Sequence, residues 1–115
     1  TILRDGRAMS DILQGVTLEV FGEGWSPGPR HRSKRDTLWT TLGGYFDHVE
    51  RLGISPNVAS FVGATTVRMY VMNQESRKPT PAELDRMRQL VAEAMEQGAL
   101  GLGTSLIYAP ATFAT

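Results

Sequence analysis

Three short runs of strand-forming residues are separated in this chain by two long segments whose apolar residues recur every three or four positions. The first run, residues 16–21, is β-branched and aromatic and lies between Gly15 and Gly22. The second covers 57–62, and the third, 102–107, is laced with glycine and ends before Pro110. Between the first two, residues 40–52 place Leu42, Tyr45, Phe46, Val49 and Leu52 on one side of a helix that Gly53 closes. Between the second and third, Thr80, Pro81 and Glu83 form a helix start. Threonine accepts from an amide three residues on, glutamate reaches back, and proline lacks only a donor that would be orphaned there. The helix they open, 82–97, buries Leu84, Met87, Leu90, Val91, Ala94 and Met95 and stops at Gly98.

A further helix end is expected over 7–13, with Ala8, Met9, Ile12 and Leu13 on its apolar side, and Thr66 is expected to cap a brief helix from Val67 to Met72. Strands alternating with helices of this length imply right-handed crossovers and a parallel sheet. The expected fold class is therefore α/β, about three parallel βα units. Three such strands do not close a (β/α)₈ barrel, so residues 1–115 read as an incomplete piece of one. The ends agree, since Thr1 and Ala114-Thr115 do not read as natural termini.

In parallel α/β folds the loops at the carboxyl ends of the strands carry the chemistry, which directs attention to 22–36, 63–73 and 108–111. Strand alternation divides Val16, Leu18 and Val20 from Thr17, Glu19, Phe21 and, by extension, Glu23. With helices covering the aliphatic face, Glu19 and Glu23 are expected on the opposite one. Glu23 then reads either as a solvated loop residue or as a metal ligand, and Glu19 as the partner of an interior cation. Tyr108, at the end of the third run, either presents its hydroxyl to a substrate carbonyl or packs at the rim. His31 and His48 read as surface histidines, and the basic cluster from Arg30 to Arg35 as a solvated loop.

Several function classes are excluded. Twelve lysines and arginines balance twelve aspartates and glutamates, which removes the broad electrostatic case for nucleic acid or an anionic membrane as partner. No run of eighteen apolar residues is present. Without cysteine there is no thiolate ligand or thiol nucleophile, so a metal here would be held by oxygen or imidazole. Gly22-Glu23-Gly24-Trp25-Ser26-Pro27 lacks the third glycine of a dinucleotide loop and has proline where a helix should begin. Neither a phosphate loop nor a Gly-x-Ser-x-Gly elbow occurs.

Three blocks in order carry a family likeness. They are Gln14-Gly15-Val16-Thr17 with Gly22-Glu23-Gly24-Trp25-Ser26, then Asn57 to Gly63 with Thr66-Val67-Arg68, then Glu96-Gln97-Gly98-Ala99-Leu100-Gly101-Leu102-Gly103-Thr104 with Leu106-Ile107-Tyr108. Together they resemble the D-aminoacylase (N-acyl-D-amino-acid deacylase) branch of the metal-dependent amidohydrolases. The resemblance implies a TIM-like barrel with a small β-sandwich made from the two chain ends. It also implies hydrolysis of the amide in N-acyl-D-amino acids or related compounds with one or two zinc ions. The family's His-x-His, its later histidines and its catalytic aspartate would lie outside this segment, which alone would be inactive and would need the rest of the barrel.

One departure bears on the metal. Many relatives have Asn-Cys-Gly, with cysteine a metal ligand, where this chain has Glu23-Gly24-Trp25; the match puts Gly24 at the cysteine, and Glu23 beside it, with its expected inward face, is the expected oxygen ligand in place of the thiolate. Ala64 stands where a histidine is usual. Ser105 and Tyr108 would line the substrate side, with Arg68 near the mouth. The implied partner is a small N-acyl amino acid, without nucleic acid or membrane. The cytoplasm is the expected location, and export stays open. The rival readings are a hydantoinase-like or dihydroorotase-like ring opener and, outside catalysis, a small α/β binding module.

Overall fold

The structure, a computed structural model, describes residues 2–32, 38–107, 109 and 111–113. Strands β1 (Leu18–Phe21) and β2 (Asn57–Ser60) pair in parallel, with Leu18 opposite Asn57 and Phe21 opposite Ser60. Strands β3 (Val62–Gly63) and β4 (Leu102–Gly103) also pair in parallel. Only Phe61 separates β2 from β3. Its amide donates to the Phe21 carbonyl, while the Val62 amide donates to Gly101 and the Leu100 amide to Ser60 on the other side. The three predicted runs thus lie side by side in chain order and point one way.

The third run is much shorter than its apolar composition suggests. Only Leu102 and Gly103 are extended in the ladder, and residues 106–107 turn, with Leu106 and Ile107 exposed. Two glycines in three positions, one of them at φ 158°, leave little side chain to hold a longer strand.

Helix α1 (Met9–Leu13) starts two residues later than expected, because Ala8 takes a left-handed conformation (φ 43°) and ends the preceding turn. Helix α2 (Leu42–Leu52) is capped by Thr41, whose hydroxyl accepts from the Gly44 amide at 3.0 Å, and closes at Gly53 with φ 75°. It buries Leu42, Tyr45 and Val49. These join Val62, Val67, Leu90, Ala94 and Ala99 in one core between sheet and helices.

Helix α3 (Ala64–Met72) corrects two expectations. It begins at Gly63, directly off the strand, so 63–73 is mostly helix rather than loop. Thr66 does not cap it: no side-chain cap bond is present, and its hydroxyl accepts from the Ser26 amide instead.

Helix α4 (Pro81–Glu96) has the capping box read from the sequence, with Pro81 in its first turn. Glu83 accepts from the Thr80 amide at 2.8 Å and meets Arg77 through both carboxylate oxygens at 2.6 and 2.8 Å. The Arg77 guanidinium, helped by the Thr80 amide, pulls the Glu83 carboxyl down to about 2. A carboxyl depressed on folding stabilises the native state above its ordinary value and loses that contribution as pH falls toward its native one. The gap in unfolding midpoint between the parent and Glu83→Gln should therefore hold above pH 4.5 and close as pH approaches 2. Circular dichroism melts across that window check it, and a pH-independent gap would assign the cap's stability to something other than the charged carboxylate.

The alternation on β1 is inverted relative to expectation. Glu19 and Phe21 lie opposite Val58 and Ser60, on the face covered by helices, while Leu18 and Val20 stand about half exposed on the open face. Tyr45 on α2 registers this: burial raises its hydroxyl pKa, and the Glu19 carboxylate raises it further. Parallel sheets are characteristically covered on both faces, so aliphatic content does not say which face meets the helices.

Candidate functional site at the carboxyl ends of the strands

Beyond β1 the chain folds across the ends of its neighbours. Gly22, at φ 91°, breaks the strand's alternation. Its missing side chain leaves room for Ser60 and Phe61, since a Cβ there would sit 2.7 Å from the Ser60 hydroxyl and still closer to the Phe61 carbonyl oxygen. The next close approach is at Gly63, where a Cβ would stand 2.7 Å from the Gly24 carbonyl carbon and 2.9 Å from the Ser26 amide nitrogen. A third is at Gly103, 3.0 Å by the same measure from the carbonyl carbon of Glu23. Successive glycines on three strands thus form a floor on which residues 22–26 lie.

This path brings two candidate residues together. Glu23 is exposed and borders an open cavity of about 390 Å³ with Val20, Phe61, Gly103 and Thr104. Ser105 meets the same loop, because a Cβ at Gly24 would come within 2.8 Å of its Cβ. Glu23 and Ser105 therefore share one corner of the carboxyl rim, although the route is the glycine floor rather than the strand alternation that predicted it.

Arg68 does not join them. Its side chain is buried, and the guanidinium donates to the carbonyls of Glu75 (3.0 Å) and Arg77 (2.7 Å) and to Met72 Sδ (3.5 Å). Its Nε has no hydrogen-bond partner among the described residues. It lines an apolar cavity of about 370 Å³ with Leu84, Met87 and Val91 of α4 and with Leu102, Leu106 and Ala111 at and beyond β4. On α3 Arg68 faces the connection to α4, whose carbonyls accept two of its N–H donors. Tyr108 lies outside the described residues.

The loop's far side packs more closely than a solvated basic cluster would. The Arg30 guanidinium lies 4.8 Å from the centre of the Trp39 ring, and the His31 ring stacks on Tyr70 at 4.0 Å. His48, read as facing water, is half-buried with its ring 5.2 Å from Trp39. Trp39 Nε1 donates to the Pro27 carbonyl at 2.9 Å, fastening the loop to the entry of α2. Residues 33–35 of the cluster lie outside the described residues.

Among the described residues, the chemistry available where the loop crosses the strand ends is the Glu23 carboxylate and the hydroxyls of Thr104 and Ser105. No three histidine, cysteine, aspartate or glutamate side chains converge among the described residues. Zinc takes about four ligands in a structural site and about three from protein in a catalytic one. Glu23 fits as a single oxygen donor to such an ion and does not make a site by itself.

Sequence reasoning missed Ser26 and Gly63 as site-building residues. The only signal was the density of glycine at the ends of all three strand runs, which marks close backbone approach without naming what approaches.

Comparison with known proteins follows the same path through space. The chain is 35% identical over 126 residues to a D-aminoacylase of Alcaligenes xylosoxydans xylosoxydans, covering 99% of this chain and 26% of that protein. It is 33% identical over 125 residues to an N-acyl-D-aspartate deacylase of the same organism, covering 98% of this chain and 25% of the relative. Among solved structures, a D-aminoacylase with a binuclear metal centre superposes with a TM-score of 0.86 at 28% identity, over 99% of this chain and 27% of that one. An N-acyl-D-glutamate deacylase from Bordetella bronchiseptica, solved with zinc and a phosphonate mimic of the tetrahedral intermediate, gives 0.80 at 25% identity, over 99% and 26%. No family model matches. The chain spans about a quarter of the length of the curated relatives it matches.

Proposed function

Because the chain is homologous to a segment of the D-aminoacylases and N-acyl-D-amino-acid deacylases, which are metal-dependent amidohydrolases, we propose that the protein containing it hydrolyses the amide bond of N-acyl-D-amino acids. The observation that carries this reading is the placement of Glu23 and Ser105 at one carboxyl-end corner of a parallel sheet whose backbone follows a deacylase over nearly its whole length. In this reading the three parallel strands are consecutive staves of a TIM-like barrel, and the remaining staves bring the other ligands and the catalytic aspartate.

Zinc, when bound, supplies Lewis acidity toward the amide carbonyl and toward water. The residues of this chain have narrower tasks. Glu23 offers one carboxylate oxygen to the ion from the loop above β1. Ser105, held beside Gly24, presents a hydroxyl to the acyl amino acid, a role shared with Tyr108 three residues later in the sequence. The exposed aliphatic face of β1, with Leu18 and Val20, becomes the inner wall. Arg68 serves instead to hold the 73–79 connection against α3.

The test compares the full-length protein with its Glu23→Gln variant. The parent should release amine from N-acetyl-D-amino acids and not from the L forms, lose that activity to a chelator and regain it with zinc. The variant should retain less zinc per chain by metal analysis. Unchanged zinc would remove Glu23 from the ligand set and leave the activity standing. Absence of release from every N-acyl-D-amino acid, with opening of a hydantoin or dihydroorotate ring in its place, would move the reading to cyclic amides.

A further inference from the structure

Resting on the hydrolytic reading above, we propose that Ser26 and Thr66 form a latch that holds the Glu23 loop in register with the end of the neighbouring strand, and so act as positioning residues for the site. Three hydrogen bonds make the latch. The Ser26 amide donates to the Thr66 hydroxyl at 2.8 Å, the Gly63 amide donates to the Ser26 hydroxyl at 2.9 Å, and that hydroxyl donates to the Gly28 carbonyl at 2.5 Å.

Two of the three join parts that chain connectivity leaves independent, and the third, within the loop, orients the Ser26 hydroxyl. Ser26 lies forty residues from Thr66 and thirty-seven from Gly63, and these bonds fasten the part of the loop next to Glu23, whereas the His31 stack on Tyr70 holds only its far side. Glu23 is three residues before Ser26, exposed and without a side-chain hydrogen bond or ion pair of its own among the described residues. Its position is therefore inherited from the backbone on either side: Gly22 pressed on Phe61, and Ser26 locked to Gly63 and Thr66.

The glycine floor supplies closeness but no direction, since van der Waals contact permits sliding. Hydrogen bonds are directional and set the register. Thr66 is well suited to the task because α3 leaves its hydroxyl free of any capping duty, and because the residue is 8% exposed and so shielded from competing water.

The test uses the full-length protein with Ser26→Ala, Thr66→Val and the conservative Thr66→Ser. Amide hydrogen exchange at residues 22–26 reads the latch without reference to activity, and it should rise at least tenfold in Ser26→Ala and in the nearly isosteric Thr66→Val. In the parent's hydrolytic reaction, kcat should fall about tenfold in both with KM moving less than threefold, and Thr66→Ser should restore parent values in both measurements. Exchange that stays at the parent level in Thr66→Val overturns the proposal. So does a rise in exchange with kcat within twofold of the parent, because the loop would then be free without consequence. Should the parent hydrolyse no N-acyl-D-amino acid, the functional reading fails by itself, and the exchange measurement alone upholds or overturns the latch.

Discussion

Gly22→Ala is expected to destabilise the protein far more than Gly15→Ala, although both glycines have positive φ, 91° and 83°. A side chain in the left-handed region costs ~1–2 kcal/mol wherever it stands. At Gly15 nothing lies within 4 Å of the added carbon, so that strain is the whole cost. At Gly22 the new methyl meets the Phe61 carbonyl oxygen and the Ser60 hydroxyl at 2.7 Å. The Phe61 carbonyl belongs to the strand that also bonds β1 and the 100–101 segment, so it cannot yield without opening the sheet. Overpacking of this kind adds about 1–3 kcal/mol. Urea denaturation of the two variants beside the parent measures the difference. Equal losses would mean that the loop swings clear of the strand end at little cost, and the glycine floor would then have no role in placing Glu23.

Leu42→Ala is the second large effect, expected to cost about 2–5 kcal/mol as a lost side chain plus the cavity it leaves. Leu42 is 1% exposed and stands in the first turn of α2 among the core residues that join that helix to the sheet. Leu42→Met keeps most of the volume and should cost less than about 1.5 kcal/mol. The pair separates volume from chain position, because both variants keep the Thr41 cap and the Gly44 amide it satisfies. A Leu42→Met protein as weak as Leu42→Ala would place the cost in local helix entry rather than in the core.

Much of the element order was legible because local signals and global packing agree. The capping box at Thr80 and Glu83 is satisfied by atoms within four residues, and the stripe of Leu42, Tyr45 and Val49 finds the core its period implies. Parallel pairing of the three runs follows from the length of the helical crossovers between them. Where local signals mislead, a longer-range partner is responsible. Thr66 looks like a helix cap, and its hydroxyl is taken by an amide forty residues away. The face of β1 was misassigned because a sheet destined for cover on both sides carries aliphatic residues on both.

Arg68 shows the same limit in the site itself. Nothing in the residue order foretells that the buried Arg68 guanidinium on α3 donates to the carbonyls of Glu75 and Arg77. Ser105 packs on Gly24, next to Glu23 in the chain, by a route that no pattern of residue types along the chain describes.

By itself, then, the residue order determined the succession of strands and helices and their parallel sense, since both depend on interactions a few residues long or on chain reach. The tertiary structure alone decided which face of β1 meets the helices, which groups hydrogen-bond Ser26 and Arg68, and that Gly24 lies against Ser105. Those outcomes depend on which distant groups arrive within hydrogen-bonding distance, and that is set by the packing of the whole and not by any one segment.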